Sequence, residues 1–157
     1  MFETKEGVIK PIVYLGVIRE EKLLFIDYVQ APNPAKNGWW IPAPGLKFGE
    51  DPTKKAETLL SDFGFSGTPP KLHNIESFVL PGGWHLIYHF ICVVNMDIKP
   101  NKNIKTHKWV SADELENMKD LAHGKWEIEI GKSYLSRSHK ERVLKACYPK
   151  HTQLMLN

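Results

Sequence analysis

The stretch Trp39-Trp40-Ile41-Pro42-Ala43-Pro44-Gly45-Leu46-Lys47-Phe48-Gly49-Glu50, running on to Asp62-Phe63-Gly64-Phe65, has the layout of a phosphate-and-metal loop leading into a helix. The chemistry such a layout serves is hydrolysis at a phosphate link. Divalent cations neutralise the link and orient or activate water. Magnesium demands near-octahedral oxygen ligands, so several carboxylates must converge from one helix face. The acids available are few. Glu57 and Asp62 are five positions apart, about 140° around a helix of 3.6 residues per turn, too far round to share one ion. Glu50 belongs to the loop and can approach Asp62. Trp39 and Trp40 flank the loop, where one ring can stack on a base while the other packs inward. Tyr28 and Gln30 end a strand near the place where the loop should fold, which makes Tyr28 a candidate ligand contact.

The elements that must position these residues can be read from pattern. Val8 to Ile18 and Lys22 to Val29 are apolar runs joined at Glu20-Glu21, which predicts two strands and a turn. Ala31 to Gly38, with two prolines and a glycine, is a loop. Trp39 to Ile41 is a short extended segment ended by prolines. Asp51-Pro52 starts a helix and Gly64 stops it, giving about Pro52 to Asp62. Ile75 to Leu80 and Trp84 to Val94 flank Pro81-Gly82-Gly83 as a hairpin, and the second run is apolar on both faces, as in a central strand. Lys108 to Val110 is a short strand. Ser111 and Glu114 make a capping box for a helix from Ala112 to Met118, with Val110 and Leu115 as its staple. Trp126, Ile130 and Tyr134 form an apolar stripe on a second helical segment, about His123 to Leu135. A separate short helix is expected from Arg142 to Pro149. Strands and helices mixed in this way predict an α/β fold with a mixed sheet between helices, one domain over residues 1–157.

Composition narrows the class. At 157 residues the chain is long enough for a sizeable core. A net charge of +3 lacks the concentrated basic stripe of a nucleic-acid binder. The basic residues between Lys132 and Lys150 read as a solvated helix face, with phosphate binding or contact with a second copy, a homodimer, as the other readings. Cys92 and Cys147 have no metal-ligand spacing and make no disulfide framework. The charged start, Met1-Phe2-Glu3-Thr4-Lys5-Glu6, has no apolar leader, and no run approaches a membrane span. A cytoplasmic location is the expectation. His85 and His89, roughly 13 Å apart on one strand face, are too distant to share an ion and read as structural.

The opening stretch resembles the Nudix superfamily. That signature is a loop Gly and Glu followed by Arg-Glu-apolar-any-Glu-Glu-any-Gly-apolar, usually after a Trp-x-x-Pro-Gly-Gly segment. Trp39-Trp40-Ile41-Pro42 matches the lead-in, Gly49-Glu50 the loop acid and Gly64-Phe65 the terminating pair. Trp109 to Leu115 and Leu121-Ala122-His123 resemble later passages. The interval from Glu50 to Gly64 is one residue short. Aligned back from Gly64, Glu57 takes the Arg position, Thr58 and Ser61 replace two glutamates, and Asp62 keeps the third. Ala43 and Pro44 replace glycines. The resemblance implies an α/β/α sandwich and a divergent hydrolase of a nucleoside diphosphate linked to another moiety, nucleotide sugars included. It implies Mg2+ or Mn2+ held by Glu50 and Asp62, with Glu57 as a further metal ligand. The GDP-mannose mannosyl hydrolase branch also lacks two helical glutamates and uses a histidine base, for which His107 and His123 are the candidates here. Late acids such as Glu127 and Glu129 could contribute. The implied partner is a small nucleotide derivative bound against Trp39, Trp40 and Tyr28. Two other readings stand beside it: a catalytically silent ligand-binding module, and a protein-interaction scaffold.

Overall fold

β-Branched and apolar residues hold the chain extended for most of its first thirty positions, and a left-handed pair, Glu20 (φ 50°) and Glu21 (φ 60°), turns it back on itself. The computed structural model describes residues 2–147. Its elements are β1 (Phe2–Thr4), β2 (Gly7–Arg19), β3 (Lys22–Tyr28), α1 (Pro52–Asp62), β4 (Lys71–Leu80), β5 (Gly83–Val93), β6 (Ile104–Val110), α2 (Ala112–Glu116) and α3 (Lys125–Cys147). The sheet runs β4-β5-β2-β3-β6, with β1 added to β2. β2 and β5 are parallel, and the other strand pairs are antiparallel. The result is the mixed α/β sheet that the sequence predicts.

β2 is buried on both faces. Val13, Leu15 and Val17 join Ala56, Leu60 and Phe63 in one core cluster, on the α1 side. Tyr14 and Ile18 join Tyr134 and Leu135 in the other, on the α3 side. At Gly16 the lack of a side chain lets helix α3 close in, since a Cβ there would lie 2.5 Å from Tyr134 Cδ2.

β2 and β3 pair only at Ile18↔Leu23 and Arg19↔Lys22, next to their turn. Beyond that they splay, and the segment from Trp39 to Leu46 fills the gap. Val13 N donates to Pro44 O (3.0 Å), Leu15 N to Pro42 O (2.9 Å) and Leu46 N to Pro11 O (3.0 Å), while Ile26 and Trp40 exchange both backbone bonds. The prolines cost nothing here, because only their carbonyls are needed.

Helix α1 follows its expected bounds, with Asp51 Oδ1 accepting from Thr53 N (2.8 Å) and Lys54 N (3.1 Å) and Gly64 at φ 81°. Four elements differ from expectation. β4 starts at Lys71 rather than Ile75, because a register shift between Leu72 and Asn74 carries pairing through the polar residues. β6 starts at Ile104 rather than Lys108, its polar residues paired to β3 along the sheet edge. α2 stops at Glu116, two residues before Met118, where Asn117 caps it. The two expected late helices are one. Leu135 to Arg142 contains no Pro or Gly, and Arg137 and Glu141 pair across one turn at 2.8 Å. The expected end at Pro149 lies outside the described residues.

Candidate functional site

The loop acid comes to rest among nitrogens. Glu50 Oε1 accepts from Lys47 N at 2.7 Å and Oε2 from Lys55 Nζ at 3.2 Å. The Lys47 amide first, and then Lys55, hold its carboxyl below the usual range. Glu57 and Asp62 are exposed on α1. Among the described residues no three His, Cys, Asp or Glu side chains gather where they could hold a metal ion. As placed, Glu50, Glu57 and Asp62 do not make a cage for magnesium or manganese.

The other face of the sheet carries a cavity of 940 Å3, within the size of sites that enclose a drug-sized ligand, about 300–1,000 Å3. The strand register orders its floor in rows. Lys10, His85 and Phe78 form the outer row, Ile12, Ile87 and Glu76 the middle one, and Tyr14 lies innermost. Trp126 of α3 closes over Tyr14, ring centroids 5.2 Å apart. The loop residues Pro32 to Pro34 and Lys36 form one wall, and Ala43 and Gly45 of the inserted segment another.

His123, which lines the cavity, is paired with a carboxylate. His123 Nδ1 lies 2.5 Å from Glu127 Oε1, which also accepts from His123 N at 2.7 Å. Glu127 Oε2 accepts from Ile41 N at 3.4 Å. Glu127 is fully buried, so its carboxylate ties the start of α3 to the inserted segment. Tyr14 Oη lies 3.4 Å from His123 Nδ1. Burial, and then Glu127 and Glu76, push the Tyr14 hydroxyl above its usual range. The Trp40 ring packs edge-on to His123 at 4.7 Å, and its buried Nε1 has no partner among the described residues. With Nδ1 engaged, the histidine ring is oriented as a base held by a third group requires.

A second buried pair backs the floor. His89 Nδ1 lies 2.5 Å from Tyr134 Oη. His89 Nε2 lies 2.7 Å from Glu76 Oε1. Burial lowers the His89 pKa, while Glu76 pulls the other way. Burial also lowers that of His73. A histidine kept neutral by folding takes up its proton more readily when unfolded, so its stability contribution is present above the unfolded value near 6.5 and is lost as pH falls. The thermal midpoint is therefore expected to drop on acidification from about pH 8 to pH 5, with a shallower slope in His89→Gln. Equal slopes would show that His89 does not carry the effect.

The expected site residues thus separate. His123 and Trp40 line the cavity. Glu50, Glu57 and Asp62 do not. Trp39 lies outside it, with Lys108 Nζ 4.3 Å above its ring. Tyr28 and Gln30 line a neighbouring hollow of 760 Å3, whose wall Trp40 shares. His107 pairs with Asp97 at 3.3 Å on β6. Three of the late basic residues are paired: Lys132 with Glu116 and Glu129, Arg137 with Glu141, and Arg142 with Glu21. Of the two strand histidines, His89 is buried against Tyr134, while His85 lines the cavity with its ring stacked on Phe78. Tyr14 and Glu76 were not foreseen, because their meeting depends on the β2-β5-β4 order. No helix among the described residues is long and apolar enough to cross a membrane.

No protein-family model and no curated protein matches the sequence. Solved structures do match in three dimensions. The MutT protein from Methanosarcina mazei Go1 has a TM-score of 0.62 at 16% identity, over 88% of this chain and 99% of that one. A NUDIX-family hydrolase from Clostridium perfringens has a TM-score of 0.60 at 13% identity, over 80% and 95%. An Ap4A hydrolase from C. elegans has a TM-score of 0.59 at 15% identity, over 83% and 96%. At such identities what is shared is the fold: this chain has the Nudix fold.

Proposed function

We propose that this chain is a divergent Nudix-type hydrolase that takes a nucleoside diphosphate derivative into the α3-side cavity. The observation that carries the reading is His123, paired with the buried Glu127 and lining a ligand-sized, aromatic-walled cavity that Lys10 and Lys36 also line. Apolar and aromatic walls accept a base, and Lys10 and Lys36 attract the phosphates. His123 Nε2 takes a proton from water. The water oxygen attacks the substrate at one end of its diphosphate link, and the bond to the leaving oxygen breaks. That oxygen leaves as a phosphate, and the proton on His123 returns to solvent. Glu127 orients the imidazole. Glu50 and Asp62, with Glu57, are the acids to test for metal dependence. The solved neighbour named as an Ap4A hydrolase supports the substrate class.

A second reading, a silent nucleotide-binding module, is favoured by the engagement of both Glu50 oxygens. One assay decides between them. Nucleotide sugars, dinucleotides and nucleoside diphosphates are screened for turnover and thermal stabilisation, with and without Mg2+ or Mn2+. Turnover that falls about 100-fold or more in His123→Gln, while the variant still melts cooperatively, is the expected result. Stabilisation without turnover would sink the enzyme and keep the module. Turnover unchanged in His123→Gln but lost in Asp62→Ala would move the chemistry to α1.

A further inference from the structure

We infer that the α1-side face of the sheet, at the end nearest β1, is where a second copy of this chain docks, giving a twofold dimer with its sheets packed face to face. The inference stands apart from the nucleotide reading, because this face lies on the opposite side of the sheet from the cavity. The strand register defines it. Phe2, Ile9, Trp84 and Val79 form one row across β1, β2, β5 and β4. Leu86 and Ser77 form the next row on the same face, and Tyr88 and Ile75 the one after. Helix α1 packs on this face from Val13 onward, through Ala56, Leu60 and Phe63. Short of that point the outer strands stay open. Val79 is 77% exposed, Ile75 51% and Trp84 42%, and Phe48, edge-on to Phe2 at 5.7 Å, is 89% exposed. Leu72, further along β4 on this face, is 52% exposed.

Area and chemistry both point to a second copy. With the half-buried Phe2, Ile9, Leu86 and Tyr88, the face presents roughly 800 Å2, the share that each partner gives to a standard interface. The largest patch on a typical monomer is about 300–600 Å2. No residue in these rows is charged. Trp84 Nε1 donates to Ser77 Oγ at 2.8 Å, so the indole lies on the face with its polar atom satisfied. An uncharged centre rich in aromatic rings is what interface cores have. Such a face carries no charge to select an unlike partner or an anionic lipid surface. Across a twofold axis it meets itself, apolar on apolar. Facing sheets pack about 10 Å apart, so two copies make a sandwich whose outer sides keep both cavities open. The sandwich also covers Ile75 and Val79 of β4, the strand at the end of the sheet order, and a long apolar edge strand needs such cover. The basic face of α3 is the weaker candidate, because its Lys132, Arg137 and Arg142 already hold acids of their own chain.

Sedimentation equilibrium of the whole chain tests this, from about 1 μM to about 200 μM. Val79→Glu, Phe48→Ser and Val143→Glu are run beside the parent chain. Half-dimerisation below about 100 μM is expected. Val79→Glu places an unpaired charge in the contact and is expected to weaken the dimer about tenfold or more. Phe48→Ser deletes an exposed ring and is expected to weaken it about threefold or more. Val143 stands on α3, 43% exposed and off this face, and its variant is expected to dimerise like the parent. Val79 and Phe48 are too exposed to carry the fold, so both variants are expected to melt cooperatively. A chain that stays monomeric over the whole range would overturn the inference. So would a dimer that neither Val79→Glu nor Phe48→Ser weakens, or one that only Val143→Glu weakens.

Discussion

Glu127→Ala is expected to destabilise the chain by about 3–5 kcal/mol, because it removes a buried carboxylate that accepts three hydrogen bonds, each worth about 1.5–3 kcal/mol to a charged group. Its carboxylate has no solvent contact and serves three nitrogens: His123 Nδ1, His123 N and Ile41 N. Alanine leaves all three without that acceptor, the Ile41 amide in the buried interior. The effect is not local to α3, because Ile41 belongs to the segment inserted between β2 and β3. Loosening that segment removes the wall of the cavity as well. Urea denaturation measures the loss, and Glu127→Gln, which restores one acceptor oxygen, is expected to recover part of it. A change under about 1 kcal/mol would mean that the carboxylate does not hold the two elements together.

Tyr134→Ala is expected to cost about as much, 3–5 kcal/mol for deleting a large buried aromatic ring. The ring is fully buried and fills the space that Gly16 leaves open on β2. Its hydroxyl is also the partner of His89 Nδ1. Tyr134→Phe separates the two contributions. It keeps the packing and leaves a buried nitrogen unsatisfied, for an expected loss of about 1–3 kcal/mol. Equal losses for the two variants would place the whole effect in the hydrogen bond, and no loss in Tyr134→Phe would place it in packing.

These residues also show what the sequence makes legible. Helix α1 was readable to the residue, because its start and stop are written in local chemistry, an aspartate cap, a proline and a glycine. The start of α2 was readable for the same reason: Ser111 accepts from Glu114 N. The continuity of α3 was not, since basic residues between Leu135 and Arg142 look like a helix ending unless their pairs with Glu141 and Glu21 are known. The splaying of β2 from β3 was hidden too. Proline carbonyls accept bonds as well as any others, but residue type does not say from which strand. His123 could be named in advance and Glu127 only mentioned among late acids. Tyr14 and Glu76 looked like ordinary strand residues, and only a strand order linking distant parts of the chain gives them a shared cavity.

That strand order also governs how the chain must come together as it is made. β2 finds its main partner in β5, where Ile9 pairs with Trp84 and Ile18 with Val93, 75 positions later in each case. Its bond to β3 is two residue pairs long. At about 5–20 residues per second, synthesis reaches β5 roughly 4–15 s after β2. Through that interval a strand destined for burial on both faces has only β1, the turn to β3 and the Trp39–Leu46 segment beside it. Contacts this distant in sequence close slowly, so the newborn chain spends its first seconds with a strand meant for the interior half-clothed, the period when chaperones and aggregation compete for it.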